Sequence, residues 1–157
     1  MRFAMGIDYD GANYRGWQTQ QEGVPSVQLT VEQALSQIAN HPINVHAAGR
    51  TDAGVHAAGM IVHFDTDAIR GHRNWLLGAN RLLPNDIAVR WIHPVSDDFH
   101  ARFKAVARRY RFVIFNSPLR SSMLAGKVTW HYHHLDVERM KLAAQYLVGV
   151  HDFTSFR

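Results

Sequence analysis

The residues whose types and spacing could support catalysis lie in one glycine-containing loop. Its sequence is Gly49-Arg50-Thr51-Asp52-Ala53-Gly54-Val55-His56-Ala57. Arg50 stands two residues before Asp52, so in an extended segment both side chains point to the same side. The guanidinium there can keep the carboxylate ionised or bind a phosphate. An ionised carboxylate in a glycine loop, which a ligand can approach closely, can act as nucleophile or general base.

The same loop also permits a purely local role for its carboxylate. In an Asx turn, Asp52 would accept hydrogen bonds from nearby backbone amides and would not meet a substrate. For an arbitrary aspartate between glycines, composition and spacing favour this turn. Both interpretations stay open at this level.

A basic stretch between His100 and Arg120 is the second candidate for function. It contains no acid, and its cations are Arg102, Lys104, Arg108, Arg109, Arg111 and Arg120. The aromatic residues Phe103, Tyr110, Phe112 and Phe115 lie among them. Cations interleaved with aromatic rings suit a phosphate backbone and an unstacked base, whereas the alternative is a solvated strand face. Because side chains alternate along a strand, we expect only a subset of these cations to contact phosphates.

Two arrangements that suggest a metal site fail on their spacing. Counted from Asp8 as a calcium loop, the twelfth position is Thr19, where a bidentate glutamate is required. His131 and His133 share one face of a predicted strand but have no carboxylate or cysteine set beside them. We therefore predict no metal.

The elements that must position the loop follow from hydrophobic periodicity. Alternation predicts a strand over 2–10, and an apolar stripe at helical spacing begins after Ser26, a plausible N-cap. Extended segments at 43–48 and 60–64, a helix around 75–83 and a strand over 87–91 follow. The order β-α-β-β-α-β predicts an α+β, ferredoxin-like (RRM-like) domain over 1–97 with an antiparallel sheet. The Asp52 loop falls between its second and third strands.

The second half predicts the beginning of a similar unit. A long strand is expected over 102–115 and another over 127–133, followed by a helix that Asp136 caps and Gly149 ends. This β-β-α set, 98–157, is incomplete as a ferredoxin-like domain.

Composition places the chain among globular proteins of a reducing compartment. Of 157 residues, 46% are hydrophobic and 19% charged, the net charge is +4, and cysteine is absent. No apolar run approaches the roughly 20 residues that span a bilayer, and no signal-peptide pattern opens the chain. We expect a cytoplasmic protein without a membrane partner.

Four motifs, in order, resemble those of the TruA family of tRNA pseudouridine synthases. The loop from Gly49 to His56 is similar to the family's signature. The other three are Tyr9-Asp10-Gly11 with Tyr14, Gly16, Trp17 and Gln18; Asp98-Phe99-His100-Ala101-Arg102-Phe103 continuing to Arg109-Tyr110-Arg111-Phe112; and the stretch from His151 to Arg157.

The resemblance implies an activity and a role for several residues. It implies isomerisation of uridine to pseudouridine in the tRNA anticodon stem-loop, at tRNA positions 38–40, with Asp52 as the essential aspartate. Tyr110 is implied to pack against the target base, and Arg50 to hold the flipped nucleotide or fill the space it leaves. Further candidate RNA contacts are Arg102, Lys104, Arg108, Arg109, Arg111, Trp17 and Gln18. A loop-anchoring role is an equal alternative for Trp17. No cofactor is expected.

The resemblance also implies a longer, dimeric enzyme. Family members continue through a second half that completes the other unit and supplies an arginine to pair with the catalytic aspartate. We therefore expect residues 1–157 to be a fragment with little or no activity alone, and the intact enzyme to be a homodimer. The alternatives are a non-catalytic RNA-recognition module, whose aromatic signature Arg109–Val113 does not match, and a metal-dependent hydrolase.

Overall fold

The first half of the chain folds into one sheet with two helices. The computed structural model describes residues 1–156, so Arg157, the last residue of the predicted C-terminal motif, lies outside the described residues. In order, the elements of this half are β1 (Arg2–Tyr9), α1 (Val27–Ala39), β2 (His46–Ala47), β3 (Ala57–Asp65), α2 (His72–Leu82) and β4 (Ile87–Val95). This is the predicted β-α-β-β-α-β order.

The four strands form one sheet in the order β2-β3-β1-β4. Each neighbouring pair is antiparallel. The first strand therefore lies in the interior, and each helix connects two strands that are not neighbours. This topology confirms the predicted ferredoxin-like α+β fold.

One face of β1 builds the core. Phe3, Met5, Ile7 and Tyr9 are at most 4% exposed, as their alternation predicts. The ring of Phe3 lies 6.0 Å from that of Trp75 on α2. On the opposite face Gly6 pairs with Trp91 of β4, and a Cβ at Gly6 would lie only 2.3 Å from Nε1 of that indole. The absence of a side chain at Gly6 thus lets the indole lie on the strand.

Helix α1 begins where the sequence predicts. Ser26 has an extended backbone, and its hydroxyl oxygen accepts a hydrogen bond from the N–H of Leu29. The helix ends at Asn40, which adopts the left-handed conformation with φ of 60°. Its apolar stripe, including Val27, Val31 and Leu35, is buried. The confirmed N-cap follows from local sequence alone.

The predicted long strand over 102–115 is wrong. Residues 105–113 have no regular secondary structure, and only Ile114–Asn116 forms a strand, β5. A strand needs a partner for its backbone groups, and among residues 1–156 the segment before Ile114 has none in a ladder. Alternation of residue types predicts an extended segment, but it does not indicate whether a partner strand is present.

The structure separates into two compact units, Met1–Arg109 and a second one that begins at Tyr110. The second unit holds β5, β6 (Thr129–His131), which pairs with β5 in parallel, and α3 (Val137–Ala144). Asp136 caps α3 through its side chain, as predicted. The division after residue 97 and the second ferredoxin-like unit stay predictions. None of the helices within residues 1–156 is long and apolar enough to cross a membrane.

Candidate active site

The Asp52 loop connects β2 to β3 and contains a tight turn. The N–H of Val55 donates to the carbonyl oxygen of Asp52 at 3.2 Å, which closes a four-residue β-turn. Gly54, at the third position, has φ of 78°. A positive φ at that position is what a type II turn requires, and glycine adopts it without strain.

The Asp52 side chain is exposed, and among residues 1–156 no donor binds its carboxylate. An Asx turn would show a backbone N–H bonded to this carboxylate, as Ala12 N–H bonds to Asp10. The Asx alternative is therefore excluded in this structure. Arg50 is exposed too, and within the described residues it forms no ion pair with Asp52. The carboxylate is open to an incoming ligand.

The middle of the loop is held at Thr51, next to Asp52 in sequence. The N–H of Trp17 donates to the Thr51 carbonyl oxygen at 2.9 Å, and the Tyr9 hydroxyl lies 2.8 Å from Oγ1 of Thr51. Gly16 has φ of 100°, and a Cβ there would lie 2.7 Å from the same carbonyl oxygen. The chain after β1 is therefore packed directly against the backbone that presents Asp52.

The end of the loop is held by the turn that follows β1. The Gly11 N–H donates to Nδ1 of His56 at 3.1 Å, and Oδ1 of Asp10 lies 2.9 Å from the same nitrogen. A Cβ at Gly11 would lie 2.0 Å from the Val55 carbonyl oxygen. His56 thus has a positioning contact, and only glycine fits at position 11 against the Val55 carbonyl.

Tyr14 connects the same loop to the start of β4. The N–H of Gly54 donates to the Tyr14 carbonyl oxygen at 3.2 Å, and the Tyr14 hydroxyl donates to Oδ1 of Asp86 at 2.8 Å. Burial, followed by the hydrogen bond to Asp86, raises the pKa of Tyr14 above its ordinary value. Tyr14 therefore stays a neutral donor at physiological pH.

Residues 97–104 pack at the opposite end of β1 and β3. Arg2 forms a bidentate ion pair with Asp65 and donates to the Phe99 carbonyl oxygen at 2.8 Å. His63 accepts the Ala101 N–H at Nδ1, at 3.2 Å. Burial, then the neighbouring rings of His100 and His46, lowers the pKa of His63 to about 4. His63 is therefore a neutral acceptor that holds this segment on the sheet.

The predicted basic residues divide into distinct environments. Arg108 donates from Nε and Nη2 to the Ala48 carbonyl oxygen at 2.9 and 2.6 Å. Lys104 lies 3.4 Å from Asp98, and the Arg102 guanidinium lies 5.8 Å from the Phe103 ring centre. Arg109 is exposed at the end of the first unit. Within the first unit, the structure brings Arg108 and the Asp52 loop together.

Tyr110 and Arg111 belong to the second unit, where both are exposed; Tyr110 is 71% exposed. Their roles toward the base and the RNA stay predictions. Trp17 corrects an expectation, because it is only 2% exposed and packs on the Tyr9 ring at 6.1 Å. This burial favours the loop-anchoring alternative and leaves the indole little surface for an RNA contact. Gln18 is half-buried.

Sequence reasoning missed the residues that hold the loop. In the sequence these residues stand out only as parts of the family motif, without a role: Tyr9, Gly11, Tyr14 and Gly16. Their signal lies in that motif, where Tyr9 and Tyr14 alternate with Gly11 and Gly16 at the end of β1. Within residues 1–156, no group of three or more histidine, cysteine, aspartate or glutamate residues is arranged to hold a metal ion.

Comparison with known proteins matches this chain to one family. A family model described as tRNA pseudouridine synthase matches residues 5–104. Proteins named tRNA pseudouridine synthase A from Acinetobacter baylyi and Alcanivorax borkumensis are 57% and 56% identical to it over 156 residues. Each alignment covers 99% of this chain and 58% of the relative. An Acinetobacter baumannii protein of the same name is 56% identical, with 59% of its length covered. The chain thus spans a little under three fifths of these curated relatives.

Proposed function

Because this chain belongs to the tRNA pseudouridine synthase family, we propose that the protein carrying it isomerises uridine to pseudouridine in the anticodon stem-loop of tRNA. Asp52 is the catalytic carboxylate of this proposal. The observation that carries it is an exposed, unbonded carboxylate on a loop whose backbone is held on both sides of Asp52. A charged group that is accessible but rigidly presented is what a reaction at a ribose carbon needs.

The reaction sets three physical demands. The target uridine must leave its stack, which costs a few kcal/mol and is offset by stacking in a pocket. The C1′–N1 bond then breaks, the uracil turns, C5 bonds to C1′, N1 takes a proton and C5 loses one. The Asp52 carboxylate either attacks the sugar or removes a sugar proton, and both roles need it ionised and close. The bonds broken and formed balance without a redox centre or an activated group, so the proposal includes no cofactor.

The proposal assigns the remaining residues to binding. Arg50, two residues from Asp52, holds the flipped nucleotide or fills its place, and Tyr110 stacks on the base. Arg102, Lys104, Arg109 and Arg111 contribute charge toward RNA phosphates. The intact protein is proposed to be a cytoplasmic homodimer, since a tRNA is large relative to one cleft and the absence of cysteine suits a reducing compartment.

The decisive experiment is Asp52→Asn in the full-length protein that contains this chain. The amide removes the charge with little change of shape, so tRNA affinity should stay within about twofold while pseudouridine formation falls by at least ~1000-fold. Pseudouridine is measured on an anticodon stem-loop transcript, and affinity by filter binding. Asp67→Asn is the matched control, because Asp67 is an exposed carboxylate beyond the other end of β3.

Two outcomes would contradict the proposal. Normal pseudouridine formation by Asp52→Asn would remove Asp52 from the chemistry. Tight RNA binding by the full-length wild-type protein, with no pseudouridine formed, would favour the non-catalytic RNA-recognition module instead.

A further inference from the structure

One side chain of the basic segment binds the polypeptide at the entrance to the Asp52 loop. Arg108 lies among residues 105–113, which have no regular secondary structure. Its guanidinium reaches the Ala48 carbonyl oxygen with two donors, Nε at 2.9 Å and Nη2 at 2.6 Å. Nη2 also donates to the Arg102 carbonyl oxygen at 3.1 Å. The donors on this edge of the guanidinium are thus directed at backbone carbonyls.

Ala48 is the point at which the loop leaves the sheet. Strand β2 consists of only His46–Ala47 and lies at the edge of the sheet. The Ala48 N–H still bonds to the Ile61 carbonyl oxygen of β3 at 2.8 Å, but Gly49 and the residues after it leave the ladder. Arg108 binds the carbonyl of Ala48, the residue directly after this short edge strand.

The other contacts of the loop lie at Thr51 and beyond it in sequence. Tyr9, at the end of β1, and Trp17, in the chain after β1, hold Thr51, and Gly11 and Tyr14 hold the end of the loop. Upstream of Thr51, the entrance is held in this structure by two contacts of Ala48, the backbone bond to Ile61 and the side-chain bonds from Arg108. Of these two contacts, the one to Arg108 comes from a side chain, so a substitution at position 108 can remove it while the backbone bond to Ile61 stays.

We propose that Arg108 is a positioning residue that fixes the entrance of the Asp52 loop, and that it does not act as a phosphate contact. Its effect on catalysis rests on the function proposed above. Lysine cannot replace it, because a single ammonium cannot present the planar fork of Nε and Nη2 donors. A misplacement of the reacting group by about 1 Å can cost roughly 100-fold in rate.

The test compares Arg108→Lys and Arg108→Gln in the full-length protein, with Arg81→Lys on the exposed side of α2 as matched control. Single-turnover rates and KM are measured on an anticodon stem-loop transcript at two salt concentrations. Hydrogen exchange of the peptide covering 49–56 reports the loop directly, without any activity. Thermal unfolding of each variant shows whether it folds, and the conservative lysine variant keeps the test informative should the glutamine variant misfold.

A positioning role predicts that both Arg108 variants lose roughly 10- to 100-fold in kcat. KM and its salt dependence should stay within about twofold of wild type, and exchange in 49–56 should speed up. The Arg81→Lys control should keep the kcat of the wild type and its rate of exchange in 49–56. Restoration of full activity by lysine, together with a raised KM and a weaker salt dependence in the glutamine variant, would overturn the inference and assign Arg108 to phosphate binding.

The failure of the inference can be told apart from the failure of the proposed function. A wild-type protein that forms no pseudouridine contradicts the function, while faster exchange of the loop in Arg108→Lys still supports the positioning role. A fully active wild type whose loop exchange does not respond to either Arg108 variant contradicts the inference alone.

Discussion

The Tyr9 hydroxyl lies 2.8 Å from Oγ1 of Thr51, the residue before Asp52, although 42 positions separate the two in sequence. Tyr9 is the last residue of β1 and its ring is buried in the core. The hydrogen bond therefore attaches the candidate catalytic loop to the buried core of the first unit.

Tyr9→Phe should remove this attachment without leaving a cavity. We expect the free energy of unfolding to fall by about 1 kcal/mol, the usual net value of a hydrogen bond, and pseudouridine formation to slow more than tRNA binding weakens. Thr51→Val should have the same effect. The free energy of unfolding of the double variant should fall little further than that of either single variant. Additive losses, measured by urea unfolding of all four proteins, would show that the two hydroxyls are not coupled.

Gly16→Ala should damage the loop through a direct clash. Its Cβ would lie 2.7 Å from the Thr51 carbonyl oxygen, at a φ of 100°. Gly23 is the matched control, since it has a φ of 81° and a Cβ there would meet nothing within 4 Å. Both variants carry the strain of a positive φ, about 1 kcal/mol, but only Gly16→Ala should also displace Thr51 and lower kcat. Equal stability and equal activity of the two variants would contradict this contact.

Gly6→Ala should force the Trp91 indole away from β1. The new Cβ would lie 2.3 Å from Nε1 of that indole, and overpacking of this kind costs roughly 1–3 kcal/mol. Trp91→Val, which removes the obstructing ring, should make the same Gly6→Ala change nearly neutral. Urea unfolding of the two single variants and the double variant measures this, and an undiminished loss in the double variant would show that Gly6 is required for another reason.

The stability of the first unit should fall as the pH decreases from 6.5 to 4. His63 is neutral in the folded protein, because burial and the rings of His100 and His46 lower its pKa from 6.5 to about 4. Arg2 acts in the same direction and Asp65 opposes it. Between these pH values the unfolded chain binds a proton that the folded one does not, so acid favours unfolding. The loss at pH 5 relative to pH 7 should be on the order of 2 kcal/mol.

His63→Gln provides the comparison for this pH dependence. The glutamine amide oxygen can still accept the Ala101 N–H, but the side chain does not titrate. The loss of unfolding free energy between pH 7 and pH 5, measured by urea unfolding, should therefore be much smaller in this variant. His93→Gln, at an exposed histidine of β4, should leave this loss unchanged. A loss that survives in His63→Gln would assign it to other groups.

Local sequence predicted those parts of the fold that local physics determines. The alternation from Phe3 to Tyr9, the cap at Ser26 and the order of six elements are all confirmed, because each depends on neighbouring residues and on one buried face. The strand expected over 102–115 is absent before Ile114, since a strand also needs a partner. The alternating residue types of that stretch carry no information on whether one is present.

The sequence indicated the chemically active residues of the candidate site, but not the contacts that hold them in place. Asp52 and Arg50 could be selected from one short motif. The contacts that hold them join Thr51 to Trp17, His56 to Gly11 and Ala48 to Arg108, and each pair is distant in sequence. The burial of Trp17 follows from the same tertiary packing. Such pairings depend on the order of strands in the sheet, which hydrophobic periodicity does not specify.

The interior place of β1 affects how this protein is made. β1 is synthesised before both of its neighbours in the sheet, β3 and β4, which are completed only at Asp65 and Val95. At about 5–20 residues per second, the interval between the synthesis of Tyr9 and that of Val95 is roughly 4–17 s. Throughout this time the apolar segment of β1 lacks its two sheet neighbours, so we expect it to stay exposed to other chains until β3 and β4 are made, and the Asp52 loop to acquire its shape only after that.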